Sequence, residues 1–82
     1  MKILVVEDDR TVGQYVKRGL EEHRFHADLV EDGLEGLRFA SGGQYDLVIL
    51  DLRLPGMTGV EVMRTLRDRG IAVLYGDRKS VV

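Results

Sequence analysis

Four short apolar runs, separated by three segments of helical period, leave this chain few folds to choose from. Ile3-Leu4-Val5-Val6 is continuous and rich in β-branched residues, as suits a strand buried on both faces. From Thr11 the spacing changes: Val12, Tyr15, Val16, Gly19 and Leu20 recur with helical period. They predict one amphipathic helix to about His23, capped by Asp9 or Thr11. Phe25, Ala27, Leu29 and Val30 predict a second strand, closed by Glu31-Asp32-Gly33. Leu34, Leu37 and Ala40 mark a short helix ended by Gly42-Gly43. Tyr45 to Leu50 reads as the third strand. Thr58 and Glu61 have capping-box spacing at the head of a third helix, whose inner stripe is Val62, Met63 and Leu66. Gly70 ends that helix, and Ile71 to Tyr75 is a fourth strand.

The order β-α-β-α-β-α-β with short connections predicts a parallel sheet covered by helices on both faces. If strand 3 returns across strand 1, right-handed crossovers put helix 1 on one face and helices 2 and 3 on the other. The strand order is then 2-1-3-4, the start of a flavodoxin-like doubly wound α/β fold. The 82 residues make at most one small domain, in which about 60–65 % of the unfolded surface is buried. Twelve basic against fourteen acidic residues, a net charge of −2, argue against a surface built to hold nucleic acid. With no cysteine, a disulfide framework and a thiolate metal site are both excluded. No apolar run approaches the roughly 20 residues of a membrane span. The opening MKILVVEDD turns acidic too soon for a signal peptide, so the expected location is the cytoplasm. There is no internal repeat, low-complexity tract or linker.

The most hydrophobic strand ends in an acid. In Val48-Ile-Leu-Asp-Leu-Arg-Leu-Pro-Gly56, Asp51 stands at the strand's tip and a turn at Pro55-Gly56 follows almost at once. Open parallel sheets bind ligands at the carboxyl ends of strands where the winding reverses, here between strands 1 and 3. Strand 1 brings Glu7, Asp8 and Asp9 to that end, and strand 3 brings Asp51. Crowded carboxylates repel and raise one another's pKa unless a cation sits among them. Hard oxygen ligands favour Mg²⁺, which takes one or two carboxylates, several waters and a phosphate oxygen. Asp51 is thus placed where a metal-neutralised carboxylate can meet a phosphoryl group. The ordinary role of a lone acid at a strand end is to cap a helix or face water. Asp9 is read as a helix cap in that sense, and Asp32 and Asp46 as turn residues.

ILVVEDD at the first strand, VEDGLEGL after the second and DLVILDLRLPGMTGVEVM through the third strand and helix together resemble the response-regulator receiver domain. The resemblance is to receivers joined to winged-helix DNA-binding domains, and it covers roughly Met1 to Tyr75. It implies that Asp51 is a phosphoacceptor, attacking the phosphohistidine of a sensor histidine kinase to form an acyl phosphate. It implies that Asp8 binds Mg²⁺ directly and Glu7 mainly through water, with Asp51 and the backbone carbonyl of Arg53 completing the protein ligands. Such a chain is a signalling domain, its own chemistry limited to Mg²⁺-dependent self-phosphorylation and dephosphorylation. A DNA-binding output domain would belong to the full-length parent, this segment itself touching neither nucleic acid nor membrane. Phosphorylation adds about −1.5 to −2 charges, which bias a switching loop if a partner group reads them.

The family's readers of that charge are a Ser or Thr ending strand 4 and a Lys ending strand 5. Here Val73-Leu74-Tyr75 is followed by Gly76-Asp77, while Lys79 and Ser80 fall outside the pattern. Helix 4, strand 5, helix 5 and an output domain have no counterpart in the sequence. Asp77 to Val82, DRKSVV, can be encoded by GAT CGG AAG AGC GTC GTG, which matches a common short-read sequencing adapter. The expectation is a partial receiver over 1–75 with a non-native or out-of-frame tail over 76–82, a natural frameshift or short tail being the alternative. One helix cannot cover all of its face, so strands 3 and 4 are expected to be exposed there. Strand 4 is expected to be an open edge, a route to self-association.

Other functions compete. Haloacid-dehalogenase-like phosphatases carry Asp-x-Asp-x-Thr after strand 1, and Glu7-Asp8-Asp9-Arg10-Thr11 comes within one residue of it. The position of the nucleophile is Glu7, however, and Asp51 would have no role. A nucleotide-binding module lacks both G-x-G-x-x-G and G-x-x-x-x-G-K-[ST]. A receiver-like scaffold that binds partners without phosphorylation is the main alternative. His23 and His26 are read as a solvated turn. Arg64, Arg67 and Arg69 suit the dipole at the end of helix 3, and Tyr45 and Tyr75 are partly buried strand residues.

Overall fold

The computed structural model describes residues 1–54 and 58–76. Its apolar runs form β1 (Lys2–Val6), β2 (His26–Val30), β3 (Leu47–Asp51) and β4 (Val73–Gly76). They are joined by α1 (Arg10–Glu22), α2 (Gly33–Ser41) and α3 (Gly59–Asp68). The strands are parallel in the order β2-β1-β3-β4, as the crossover argument predicts. Val6 pairs with Val30 on one side and Leu50 on the other, so β1 is central and its whole apolar run is buried.

Alternation along the strands separates two packing layers. Leu4, Val6, Val30, Val48 and Leu50 face Ala40 of α2 and Val62 and Leu66 of α3 in one continuous core. Each such Leu or Val contributes about 1.5–3 kcal/mol relative to exposure. α1 lies on the opposite face. Gly13 rests on Leu29 and Gly36 on Val6, so that a Cβ at either position would come within 2.7–2.8 Å of the neighbouring methyl. Among the described residues, Leu74 and Tyr75 of β4 are exposed, Leu74 by 60 %. An apolar groove of about 360 Å³ runs between Val5, Val16, Ile49 and Leu74 on the α1 side and opens beside Asp51.

Hydrogen bonding explains where elements start later or end later than periodicity alone suggests. β2 begins at His26, not Phe25, because the Phe25 amide closes α1 by donating to Leu20 O. Arg24, with φ 67°, takes the left-handed position of that Schellman-type ending. Ile71 donates to Leu66 O in the same way behind Gly70, so β4 begins at Val73. β3 extends to include Asp51 because the Leu52 amide still donates across to Gly76 O. Asp9 caps α1 by accepting from Val12 N–H at 3.2 Å, which settles the choice between Asp9 and Thr11. Asp32 is not merely a turn residue: it caps α2, accepting from Glu35 N–H at 2.8 Å. Asp46 precedes β3, where its carboxylate holds Lys2 N–H at 2.7 Å. Thr58 Oγ1 accepts from Glu61 N–H at 3.3 Å, the forward half of the expected capping box.

Tyr45 stands just before β3 and reaches across β1, its hydroxyl donating to Asp28 Oδ2 at 2.7 Å. Lys2 Nζ lies 5.2 Å from its ring centroid. Burial first, then the hydrogen bond and charge of Asp28, push the phenol up to about 12. A phenol raised in the fold adds stability that is complete below its unfolded value of about 10 and is lost as pH rises through about 12. Tyr45→Phe is expected to cost about 1 kcal/mol at neutral pH and to flatten the alkaline decline. Urea unfolding at neutral pH and at about pH 11 measures both effects. An equal decline in the two proteins would remove Tyr45 as its source.

Candidate functional site

Because β1 and β3 are adjacent and parallel, their carboxyl ends share one rim of the sheet. Glu7 continues directly from Val6, its amide donating to Val30 O at 3.0 Å, and Asp51 closes β3. This register brings Glu7, Asp8 and Asp51 together although Asp8 and Asp51 are 43 positions apart in the sequence. Each contributes a carboxylate oxygen, and the three oxygens lie within 4.8 Å of one another. Glu7 is only 4 % exposed and Asp51 6 %.

Asp51 Oδ1 accepts the Arg53 amide at 2.9 Å, a turn that fixes the carboxylate's plane. Glu7 Oε2 accepts the Asp9 amide at 3.0 Å. Asp8 Oδ1 is buried without a hydrogen-bond donor. Two like charges at about 5 Å repel by about 3–4 kcal/mol at an effective dielectric of about 20, so such a cluster asks for a cation. A set of hard carboxylate oxygens, one of them with no donor to satisfy it, fits a hard cation such as Mg²⁺ and does not suit soft metals.

The other residues singled out in the sequence stand apart from this rim. Asp9 sends its carboxylate to Val12 and not to the cluster, so the near-match to Asp-x-Asp-x-Thr is divided between a site residue and a helix cap. His26 starts β2 at the opposite rim, 3.6 Å from Asp28, and His23 Nδ1 lies 2.9 Å from Gly19 O at the end of α1. Arg67 turns to Met63 Sδ and Arg69 to the Ser41 hydroxyl. The turn expected at Pro55-Gly56, together with Asp77, Lys79 and Ser80, lies outside the described residues. Two contacts were not legible in the sequence: the Asp9 amide on Glu7, and Tyr45 on Asp28. No helix among the described residues is long and apolar enough to cross a membrane.

Residues 3–75 match the family model described as "Response regulator receiver domain". Over 76 residues the chain is 43 % identical to the transcriptional regulatory protein CusR of Escherichia coli strain K12. That match covers 90 % of this chain and 34 % of CusR, so the chain spans about a third of the regulator's length. The response regulator TrrA of Thermotoga maritima, solved with Mg²⁺ and BeF, superposes with a TM-score of 0.82 at 36 % identity. It covers 90 % of this chain and 64 % of TrrA. The structure of histidine kinase ThkA in complex with TrrA gives a TM-score of 0.88 at 34 % identity, covering 98 % and 71 %.

Proposed function

The chain belongs to the response regulator receiver domain family, and on that premise we propose that Asp51 accepts a phosphoryl group in a Mg²⁺-dependent transfer from a sensor histidine kinase. The observation that carries this reading is the meeting of Glu7, Asp8 and Asp51 within 4.8 Å, with Asp8 Oδ1 lacking a donor. Asp8 is the direct metal ligand in this reading and Glu7 acts mainly through water. Asp51 and the Arg53 carbonyl complete the set. Mg²⁺, when bound, neutralises charge on the carboxylates and on the incoming phosphoryl oxygens.

The chain's own part is positioning. The Arg53 amide holds Oδ1 of Asp51, so the carboxylate presents Oδ2 toward the donor. Attack forms the Oδ2–P bond as the phosphohistidine N–P bond breaks, the electron pair leaving with the imidazole. Catalysis of this kind rests on alignment and charge neutralisation, with no covalent work beyond the acceptor itself.

Within this proposal residues 1–75 are receiver and 76–82 a tail foreign to it. The parent protein, about three times as long if it resembles CusR, carries a DNA-binding output domain in the cytoplasm. TrrA's complex with ThkA supports a histidine kinase as partner. The open side of β4 supports self-association of this segment. A scaffold that binds partners without phosphorylation has no need of buried, converging acids, and is not favoured. Incubation with Mg²⁺ and a small acyl phosphate, followed by intact mass, tests the reading. The expected result is the mass of one phosphoryl group, absent without Mg²⁺ and absent in Asp51→Asn. An adduct that survives Asp51→Asn would reject it.

A further inference from the structure

Glu7 is the longest of the three site acids, and its carboxylate has the most rotamers to lose on binding a cation. In the fold that freedom is restricted: Glu7 is 4 % exposed and its Oε2 accepts the Asp9 amide at 3.0 Å. The same residue, Asp9, starts α1, with its side chain on Val12 N–H at 3.2 Å. One residue therefore faces two ways. Its amide fixes an acid of the site and its carboxylate fixes the first turn of a helix.

We propose that the backbone amide of Asp9 is a positioning group that presets the Glu7 carboxylate for Mg²⁺ and couples occupancy of the site to the first turn of α1. The proposal rests on the reading of Glu7, Asp8 and Asp51 as a cation site. A hydrogen bond to a metal-directed carboxylate orients it and lowers what must be ordered on binding, as outer partners of ligands generally do. The coupling runs both ways. A shift in the first turn of α1 displaces the Asp9 amide and loosens Glu7, while a cation that fixes Glu7 also fixes the residue from which α1 begins.

Two variants of one position separate the amide from the cap. Asp9→Pro removes the N–H together with the cap, at a φ of −82° that Pro tolerates, so its difference from Asp9→Ala reports the amide. Asp9→Ala removes the cap and leaves the amide in place. Mg²⁺ affinity is measured by calorimetry on the whole chain, with circular dichroism confirming that each variant is folded. Asp9→Pro is expected to weaken Mg²⁺ binding about tenfold or more, the range seen when outer partners of ligands are lost. Asp9→Ala is expected to lose much less, through a looser helix start. The decisive readout is a cycle with Glu7→Ala, in which Asp9→Pro should cause no loss beyond that of Asp9→Ala, because the group the amide acts through is gone. Equal losses in Asp9→Pro and Asp9→Ala, or a proline effect undiminished in the Glu7→Ala background, would overturn the positioning role while leaving the cation site intact. An original chain that binds no Mg²⁺ would overturn the site and the positioning role together.

Discussion

Replacing Asp51 by Asn is expected to move two quantities in opposite directions, raising the stability of the cation-free chain and lowering its Mg²⁺ affinity by about tenfold or more. The first effect follows from crowding. Asp51 is 6 % exposed and shares a 4.8 Å cluster with Glu7 and Asp8, so two like charges crowd it. Asn keeps the shape and an Oδ1 acceptor for the Arg53 amide, removes the charge, and offers two N–H donors to the neighbouring carboxylates. Asp8 Oδ1 is one acceptor in that cluster that has no donor in the unsubstituted chain. Exchanging a repulsion for a hydrogen bond of this kind is worth about 1–2 kcal/mol, or several degrees in Tm for a chain of this size. The second effect follows from the loss of a charged ligand, and Mg²⁺ should accordingly raise the Tm of the parent far more than that of the variant. Thermal melts with chelator and with Mg²⁺ measure both. A lower Tm in chelator would show that Asp51 is there to hold the fold and not to serve a cation.

This conflict between stability and site chemistry is what made the site legible. Ile3 to Val6 and Val48 to Leu50 announce buried strands, and a chain that runs such strands into Glu7 and Asp51 forgoes stability at those positions. Strand order was legible as well, since short connections and right-handed crossovers leave few layouts for four parallel strands. Boundaries were not. Apolarity alone assigns Phe25 and Ile71 to strands, but their amides close the ends of α1 and α3, a demand of backbone accounting that side-chain pattern does not record. Asp32 looks like any turn acid until the extended backbone at that residue directs its carboxylate at Glu35 N–H. Tyr45 on Asp28 is harder still: the two are 17 residues apart and meet across β1, so only the finished sheet brings them together.

Gly59→Ala is expected to destabilise the chain by about 3 kcal/mol, the upper part of the range for forcing an extra methyl into a packed site. Gly59 is the first residue of α3, and a Cβ there would stand 2.2 Å from Leu52 Cα, 2.5 Å from its carbonyl oxygen and 2.6 Å from its carbonyl carbon. All three are backbone atoms, so no side-chain rotation relieves the clash. Leu52 is itself held, its amide donating to Gly76 O at 3.0 Å, and it follows Asp51 directly. Relief must therefore come from one of two costly movements. α3 can withdraw, which unseats Val62 and Leu66, both fully buried against the sheet. Alternatively the segment after β3 can shift, which carries the Arg53 amide away from Asp51 Oδ1 and weakens the cation site as well as the fold. Gly19→Ala supplies the matched comparison: it lies inside α1, where an added Cβ meets nothing within 4 Å, and it should stabilise by about 0.5–1 kcal/mol. The same chemical change is thus predicted to carry opposite signs at two helical glycines, with unfolding midpoints in urea as the measurement. Similar midpoints for the two variants would mean that α3 does not press on Leu52, and that the seat of the acceptor strand is looser than the packing of Gly59 requires.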